Sequence, residues 1–230
     1  MTELAGPPLD RARCALALDT GDLARALGLA RILRPWFGIA KVGLELFGAV
    51  GPAAVGALRD EGFEVFVDLK LHDIPNTVAG AARSLAGLGA RYVTMHAAGG
   101  SAMLTAGADG LAAAARPAGA EAPVGLAITV LTSDSVATGE VLASRAEMAA
   151  ATGCGGVVCA AADLPTIREA AGDLLRVVAG IRPRGAAADD QSRVATPAGA
   201  VAAGADIVVI GRPVTAAADP AAAASALLAG

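Results

Sequence analysis

The chain has 230 residues, 55% of them hydrophobic and 17% charged, and a net charge of −4. That balance suits a globular protein and excludes a disordered one, while the lack of any basic block, with one Trp, one Tyr and four Phe, excludes a nucleic-acid surface built from cations and stacking rings. No charge-free apolar run reaches about 18 residues and the opening MTELAGPPLDRAR has no signal-peptide layout, so neither a membrane span nor a leader is expected, and the expected location is cytoplasmic.

Short β-rich runs alternate with alanine-rich helical stretches. In chain order, CALALD (14–19) leads to a helix over 22–34, GIAKVG (38–43) to one over 45–60, EVFVDLK (64–70) to 76–88, and RYVTMH (91–96) to 100–115. PVGLAITV (123–130) then leads to 140–151, GGVVCA (155–160) to 163–171, LRVVAG (175–180) to 197–203, and DIVVIG (206–211) to 213–229. Asp22, Pro52, Pro75, Asp163, Pro197 and Pro213 mark helix starts, and glycines such as Gly62 and Gly89 mark ends. Eight βα repeats without a linker predict the α/β class and a single (β/α)8 TIM barrel domain over 1–230. A doubly wound open sheet has the same repeats and stands as the structural alternative. Cys14 and Cys159 fall in apolar runs and read as small core residues, and the spacing of Cys154 and Cys159 is not a zinc pattern.

Barrel active sites lie at the C-terminal ends of the strands, and the charges of this chain collect there. The first strand ends at Asp19, the second carries Lys41, and the third ends in Asp68 and Lys70 with Asp73 just beyond. Strand alternation puts Glu64, Phe66, Asp68 and Lys70 on one face. Asp68 and Lys70 are then about 6–7 Å apart at Cα, within reach of one another's side chains. With Asp19 and Lys41 they form an alternating acid–base cluster, read either as chemistry or as a structural ion-pair network. In VVIGRPV, Gly211, Arg212 and a helix opened by Pro213 suit an anion; an ordinary helix start with a surface arginine is the plain alternative. The stretch RPRGAAADDQS (182–192), with Arg182 at its base and Gln191 at its far end, has the length of a lid, or of a simple surface loop. His72 and His96 read as hydrogen-bonded structural residues, and no metal site is expected.

Seven stretches together resemble the orotidine 5'-phosphate decarboxylases, bacterial type: LALDT, KVG, DLKLHDIPNTV, VLTS, GIRP, DDQSRVATP and VIGRPV, in that order along nearly the whole chain. The D-x-K-x-x-D core alone belongs to a wider superfamily; the ordered set is far more specific, with no departure at a position that the family needs. The resemblance implies conversion of orotidine 5'-phosphate to UMP and CO2 in pyrimidine biosynthesis, on a barrel with no metal or organic cofactor. It implies Asp68, Lys70, Asp73 and Lys41 as the catalytic set, with Lys70 the proton donor. It places Asp19 and Lys41 on the ribose hydroxyls, Thr132 beside the substrate, and Arg182, Gln191, Gly211 and Arg212 at the phosphate and lid. It also implies a homodimer, with Asp73, Ile74 and Thr77 reaching into the partner's site.

The chemistry is consistent with these residues. Loss of CO2 from carbon 6 of the pyrimidine leaves a carbanion in the ring plane, where the π system cannot absorb it. A fixed ammonium beside that carbon stabilises the charge and can then supply the proton. Flanking carboxylates favour a charged lysine, the opposite of what a Schiff-base aldolase needs. Two other functions fit less well. A magnesium-dependent sugar-phosphate lyase would want an acid on strand two, where Lys41 would repel the ion. A barrel that binds a nucleotide phosphate without turnover leaves the acid–base alternation unexplained.

Overall fold

The structure, a computed structural model, describes residues 9–131, 138–183 and 193–229. The strands β1 (Cys14–Ala17), β2 (Ile39–Gly43), β3 (Glu64–Leu71), β4 (Tyr92–His96), β5 (Val124–Ile128), β6 (Gly156–Cys159), β7 (Leu175–Val178) and β8 (Ile207–Ile210) are parallel and follow one another around a closed barrel. Closure is made by β8 pairing with β1, Leu16 opposite Ile210, which rules out the open sheet. Around the barrel lie α1 (Leu23–Leu33), α2 (Leu44–Val50), α3 (Ala53–Asp60), α4 (Pro75–Gly87), α5 (Gly100–Ala112), α6 (Gly139–Ala151), α7 (Leu164–Ala170), α8 (Pro197–Ala202), α9 (Arg212–Thr215) and α10 (Pro220–Leu228). Among the described residues no helix is long and apolar enough to cross a membrane.

Strand alternation divides the apolar side chains into two bodies. Leu16, Ala40, Val42, Val65, Val67 and Val93 face outward and join the layer beneath the helices. Ala15, Ala17, Ile39, Phe66, Tyr92, Leu126, Val177, Ile207 and Val209 face inward and fill the barrel. Phe66 and Tyr92 meet edge to face, their ring centroids 6.0 Å apart, a favoured aromatic geometry. This inner plug is the floor on which the rim residues stand.

Local chemistry explains the helix starts. Asp22 caps α1 by accepting from the N–H groups of Ala24 and Arg25, and Pro75 opens α4, where its missing N–H is harmless. Two expected helices prove to be broken. The stretch 45–60 divides into α2 and α3 at Gly51, whose φ of 71° leaves the helical region, followed by Pro52, which has no proton to continue the ladder. The stretch 213–229 divides into α9 and α10, because Asp219 caps a new helix by accepting from Ala222 N–H and Pro220 opens it. Cys14, Cys154 and Cys159 are buried free thiols; burial raises Cys14 to about 12 and Cys154 to about 11, so they are inert core groups at neutral pH.

Barrel closure leaves no room at some glycines. A Cβ on Gly156 of β6 would sit 2.6 Å from the carbonyl oxygen of Leu175 and 2.8 Å from Leu126 Cδ2. Gly156→Ala is therefore expected to destabilise the barrel by about 1–3 kcal/mol. Gly28→Ala on α1, where a Cβ meets nothing within 4 Å, should stabilise it by about 0.5–1 kcal/mol. Urea unfolding midpoints of the two variants check both signs.

Candidate active site

The inward-facing columns continue past the apolar floor, and the next residue up each of several columns is polar. Above Ala17 stands Asp19, above Ile39 Lys41, above Phe66 Asp68, and above Tyr92 Thr94. Asp68 is 9% exposed and has an ammonium beside each oxygen: Oδ1 accepts from Lys70 Nζ at 2.9 Å, and Oδ2 is ion-paired with Lys41 Nζ at 3.4 Å. Lys41 Nζ also lies 3.3 Å from Asp19 Oδ1. The result is one chain of alternating charge, Asp19–Lys41–Asp68–Lys70. Burial alone would raise the Asp68 carboxyl. The charges of Lys41 and Lys70, with hydrogen bonds from Lys70 and Thr94, outweigh it and hold the group below the ordinary carboxylate range.

Glycine makes space for this cluster. A Cβ on Gly43 would lie 3.0 Å from Asp19 Oδ1 and 3.2 Å from Lys41 Nζ, and one on Gly211 would lie 3.2 Å from Ala17 Cβ. The end of β3 is also irregular. Its register against β4 slips between Val67, opposite Val93, and Leu71, opposite Met95, so Asp68, Leu69 and Lys70 all face Thr94 alone. Within that bulge Lys70 has a φ of 52°, the sole positive value on a non-glycine residue among those described. The left-handed region is unfavourable for such a residue by about 1–2 kcal/mol, and strain of this kind gathers at functional sites.

The cluster forms one wall of a cavity of about 530 Å³, the size of a small-molecule site. Ile128, Val130, Val158 and Val209 give it an apolar side, and Arg182, Gly211 and Arg212 a second polar region. Arg182 is 8% exposed. Its backbone is pinned by N–H donation to Ala195 O at 2.9 Å, its Nη1 donates to Ile181 O, and its Nε has no hydrogen-bond partner among the described residues. A buried guanidinium beside a cavity, with no carboxylate within 4 Å among the described residues, suits an anionic ligand. The helix behind Gly211 is the short α9, four residues long, so it offers no extended helix terminus to an anion.

Other expected residues are placed differently. Asp73 is exposed, its carboxylate accepts from Ile74 N–H at 2.6 Å, and it makes no ion pair with Lys70 within the chain; Asp68 alone of the two acids supports Lys70 here. Ile74, 66% exposed, and Thr77, also exposed, are not among the residues that line the cavity of their own chain. Thr132, Gln191 and most of the expected lid, 184–192, lie outside the described residues. His96 Nδ1 accepts from Ala98 N–H and its ring stacks on His72 at 5.3 Å. Burial and the nearby charges of His72, Arg145 and Lys70 lower its pKa, so it is a neutral structural group at neutral pH. Among the described residues no three His, Cys, Asp or Glu side chains gather as a metal site.

Two polar residues of the cavity or rim escaped the sequence analysis. Glu45, in the first turn of α2, lines the cavity. Thr94 is fully buried and bonds both Asp68 and the Lys70 backbone. Its signal was present in RYVTMH, where alternation puts a hydroxyl one step above an inward-facing tyrosine.

Asp68 also yields a pH prediction. Folding lowers its pKa, so the stability it contributes is complete above the ordinary value of 3.8 and is lost as pH falls through the lowered value. The difference in unfolding free energy between the wild type and Asp68→Asn should therefore shrink as pH falls below 3.8. Denaturant titrations at a series of pH values measure it, and a constant difference throughout would contradict the assignment.

Comparison with known proteins agrees with this geometry. The model of the family described as Orotidine 5'-phosphate decarboxylase / HUMPS family matches residues 13–227. The orotidine 5'-phosphate decarboxylase of Anaeromyxobacter sp. (strain K) is 51% identical over 229 residues, covering 95% of this chain and 97% of that protein. That of Halorhodospira halophila is 49% identical, covering 97% and 96%. The crystal structure of orotidine 5'-phosphate decarboxylase from Lactobacillus acidophilus superimposes with a TM-score of 0.79 at 37% identity, covering 95% of this chain and 97% of that one. With its closed eight-stranded barrel, its charged rim and a match along nearly its whole length, this chain belongs to the Orotidine 5'-phosphate decarboxylase / HUMPS family.

Proposed function

We propose that this protein decarboxylates orotidine 5'-phosphate to UMP and CO2, a carboxy-lyase step of pyrimidine biosynthesis, through a C6 carbanion that Lys70 stabilises and then protonates. The observation that carries this is the Asp19–Lys41–Asp68–Lys70 chain in the same cavity as Arg182 and Arg212. One end offers a fixed ammonium; the other offers cationic groups for a phosphate. Binding energy from the phosphate then holds the pyrimidine against Lys70, where it serves the chemical step.

Each charge has a part. Asp68 holds the ammonium of Lys70 from one side and, as a dry anion, opposes a substrate carboxylate placed near it. That repulsion is relieved when CO2 leaves. Lys41 balances Asp68 from the other oxygen and, with Asp19, presents polar groups to ribose hydroxyls. The proton lost by Lys70 to carbon 6 returns from solvent, since its side chain is 33% exposed. Asp73, Ile74 and Thr77 act across a homodimer, supplying the second carboxylate to the partner's Lys70; their exposure in the single chain supports this. Thr132 and Gln191 complete the substrate contacts. Each chain is a single barrel domain, the reaction runs without metal or organic cofactor, and the free thiols suit the cytoplasm.

The magnesium-dependent sugar-phosphate alternative meets a direct obstacle. Lys41 Nζ stands 3.4 Å from Asp68 Oδ2, the acid that a divalent cation would need, and an ammonium there repels the ion.

Lys70→Ala is expected to abolish turnover, a loss beyond about a thousandfold in kcat, while circular dichroism stays native. Arg212→Ala should act mainly on KM for orotidine 5'-phosphate, raising it about ten- to a hundredfold. Steady-state kinetics on both variants test the division of labour. A Lys70→Ala protein as fast as wild type, or an unchanged KM in Arg212→Ala, would refute the corresponding role.

A further inference from the structure

We propose that Thr94 is the positioning residue of the reacting lysine: its one hydroxyl holds the Lys70 backbone in its left-handed conformation and aims Asp68 Oδ1 at the Lys70 ammonium. Thr94 does not line the cavity, so it acts through its neighbours. The proposal deepens the decarboxylase assignment and rests on it for its kinetic consequences.

The direction of each hydrogen bond follows from what each group can do. The Lys70 backbone N–H can only donate, so Thr94 Oγ1 accepts from it, at 2.8 Å. An ionised carboxylate can only accept, so the Thr94 hydroxyl proton points to Asp68 Oδ1, at 3.0 Å. The same Oδ1 receives Lys70 Nζ at 2.9 Å. A closed loop results: Lys70 N–H to Thr94, Thr94 to Asp68, and the Lys70 ammonium back to Asp68. Both ends of one residue are tied to a single threonine–aspartate pair.

Three features show that the loop shapes the site. The register slip places Asp68, Leu69 and Lys70 opposite Thr94 alone, so the bulge turns on this one residue of β4. Lys70 is the lone non-glycine residue at positive φ among those described, and its N–H is directed by the Thr94 hydroxyl. Thr94 is 0% exposed, so water has no ready access to replace a lost hydroxyl, and the buried N–H would be left unpaired. In a regular strand the Lys70 side chain would rise on the Asp68 face at ordinary strand spacing. With Lys70 in the left-handed conformation, its Nζ lies 2.9 Å from the carboxylate.

The test compares Thr94→Val, which keeps the shape and removes the hydroxyl, with Thr94→Ser, which restores the hydroxyl. Thr94→Val is expected to lower kcat by about ten- to a hundredfold, with KM and UMP affinity changed by less than about threefold. Thr94→Ser should recover most of that loss. A crystal structure of Thr94→Val should show Lys70 out of the left-handed region or its ammonium away from Asp68. Wild-type kcat in Thr94→Val, no recovery in Thr94→Ser, or a loss confined to KM would overturn the proposal. So would an unmoved Lys70 in the variant's crystal structure. Should Thr94→Val not fold, Thr94→Ala is read by the same criteria. If the wild type itself turns over no orotidine 5'-phosphate, the decarboxylase assignment falls, and the crystal structure alone decides the positioning role.

Discussion

A carboxylate almost wholly out of water, with an ammonium on each oxygen, is the constraint around which this rim is arranged. A buried ion without partners is unfavourable by several kcal/mol, so Asp68 needs Lys41 and Lys70, and they in turn need it. The requirement spreads outward. A side chain at Gly43 would crowd Asp19 Oδ1 and Lys41 Nζ, which would have to give by a few tenths of an ångström. Thr94 has to be polar in a buried layer because Asp68 and the Lys70 N–H both face it. Lys70 has to occupy a backbone region that most residues avoid. Each is a local concession of stability, and together they hold one ammonium in one place.

The barrel makes the concession tolerable. The apolar part of its inward columns includes Ala17, Ile39, Phe66, Tyr92 and Val209, a dry floor directly under the charged layer. Low local polarity strengthens every interaction among the charges above it, and the close packing beneath leaves them little room to relax. The same cavity carries Arg182 and Arg212, from the chain beyond β7 and β8. On the proposed function, a substrate gripped by its phosphate there would be held far from the bond that breaks, so that its binding energy serves catalysis.

Much of this was legible in the chain, for reasons that differ from residue to residue. The eight strands were visible because apolar runs and glycine-marked helix ends repeat evenly. The inward face of β3 followed from period-two alternation, which survives as far as Asp68. Alternation does not show a bulge, so the left-handed Lys70 was hidden. Thr94 was overlooked because a threonine in a strand is unremarkable until the column beneath it is known to face inward. The helix breaks at Gly51–Pro52 and Asp219–Pro220 had their signals, a Gly-Pro pair and an Asp-Pro pair, which helical periodicity on either side masked. Asp73 shows another limit: spacing places it near Lys70 along the chain, while the turn into α4 points it at its own backbone.

The most direct measurement follows the ultraviolet absorbance of orotidine 5'-phosphate mixed with the purified protein, with EDTA present and absent. If the alternating charges at the rim perform the chemistry by themselves, the substrate absorbance falls at the same rate in both samples and UMP accumulates. No loss of absorbance with folded protein, or a loss that EDTA stops and magnesium restores, would contradict a metal-free decarboxylase acting through Lys70.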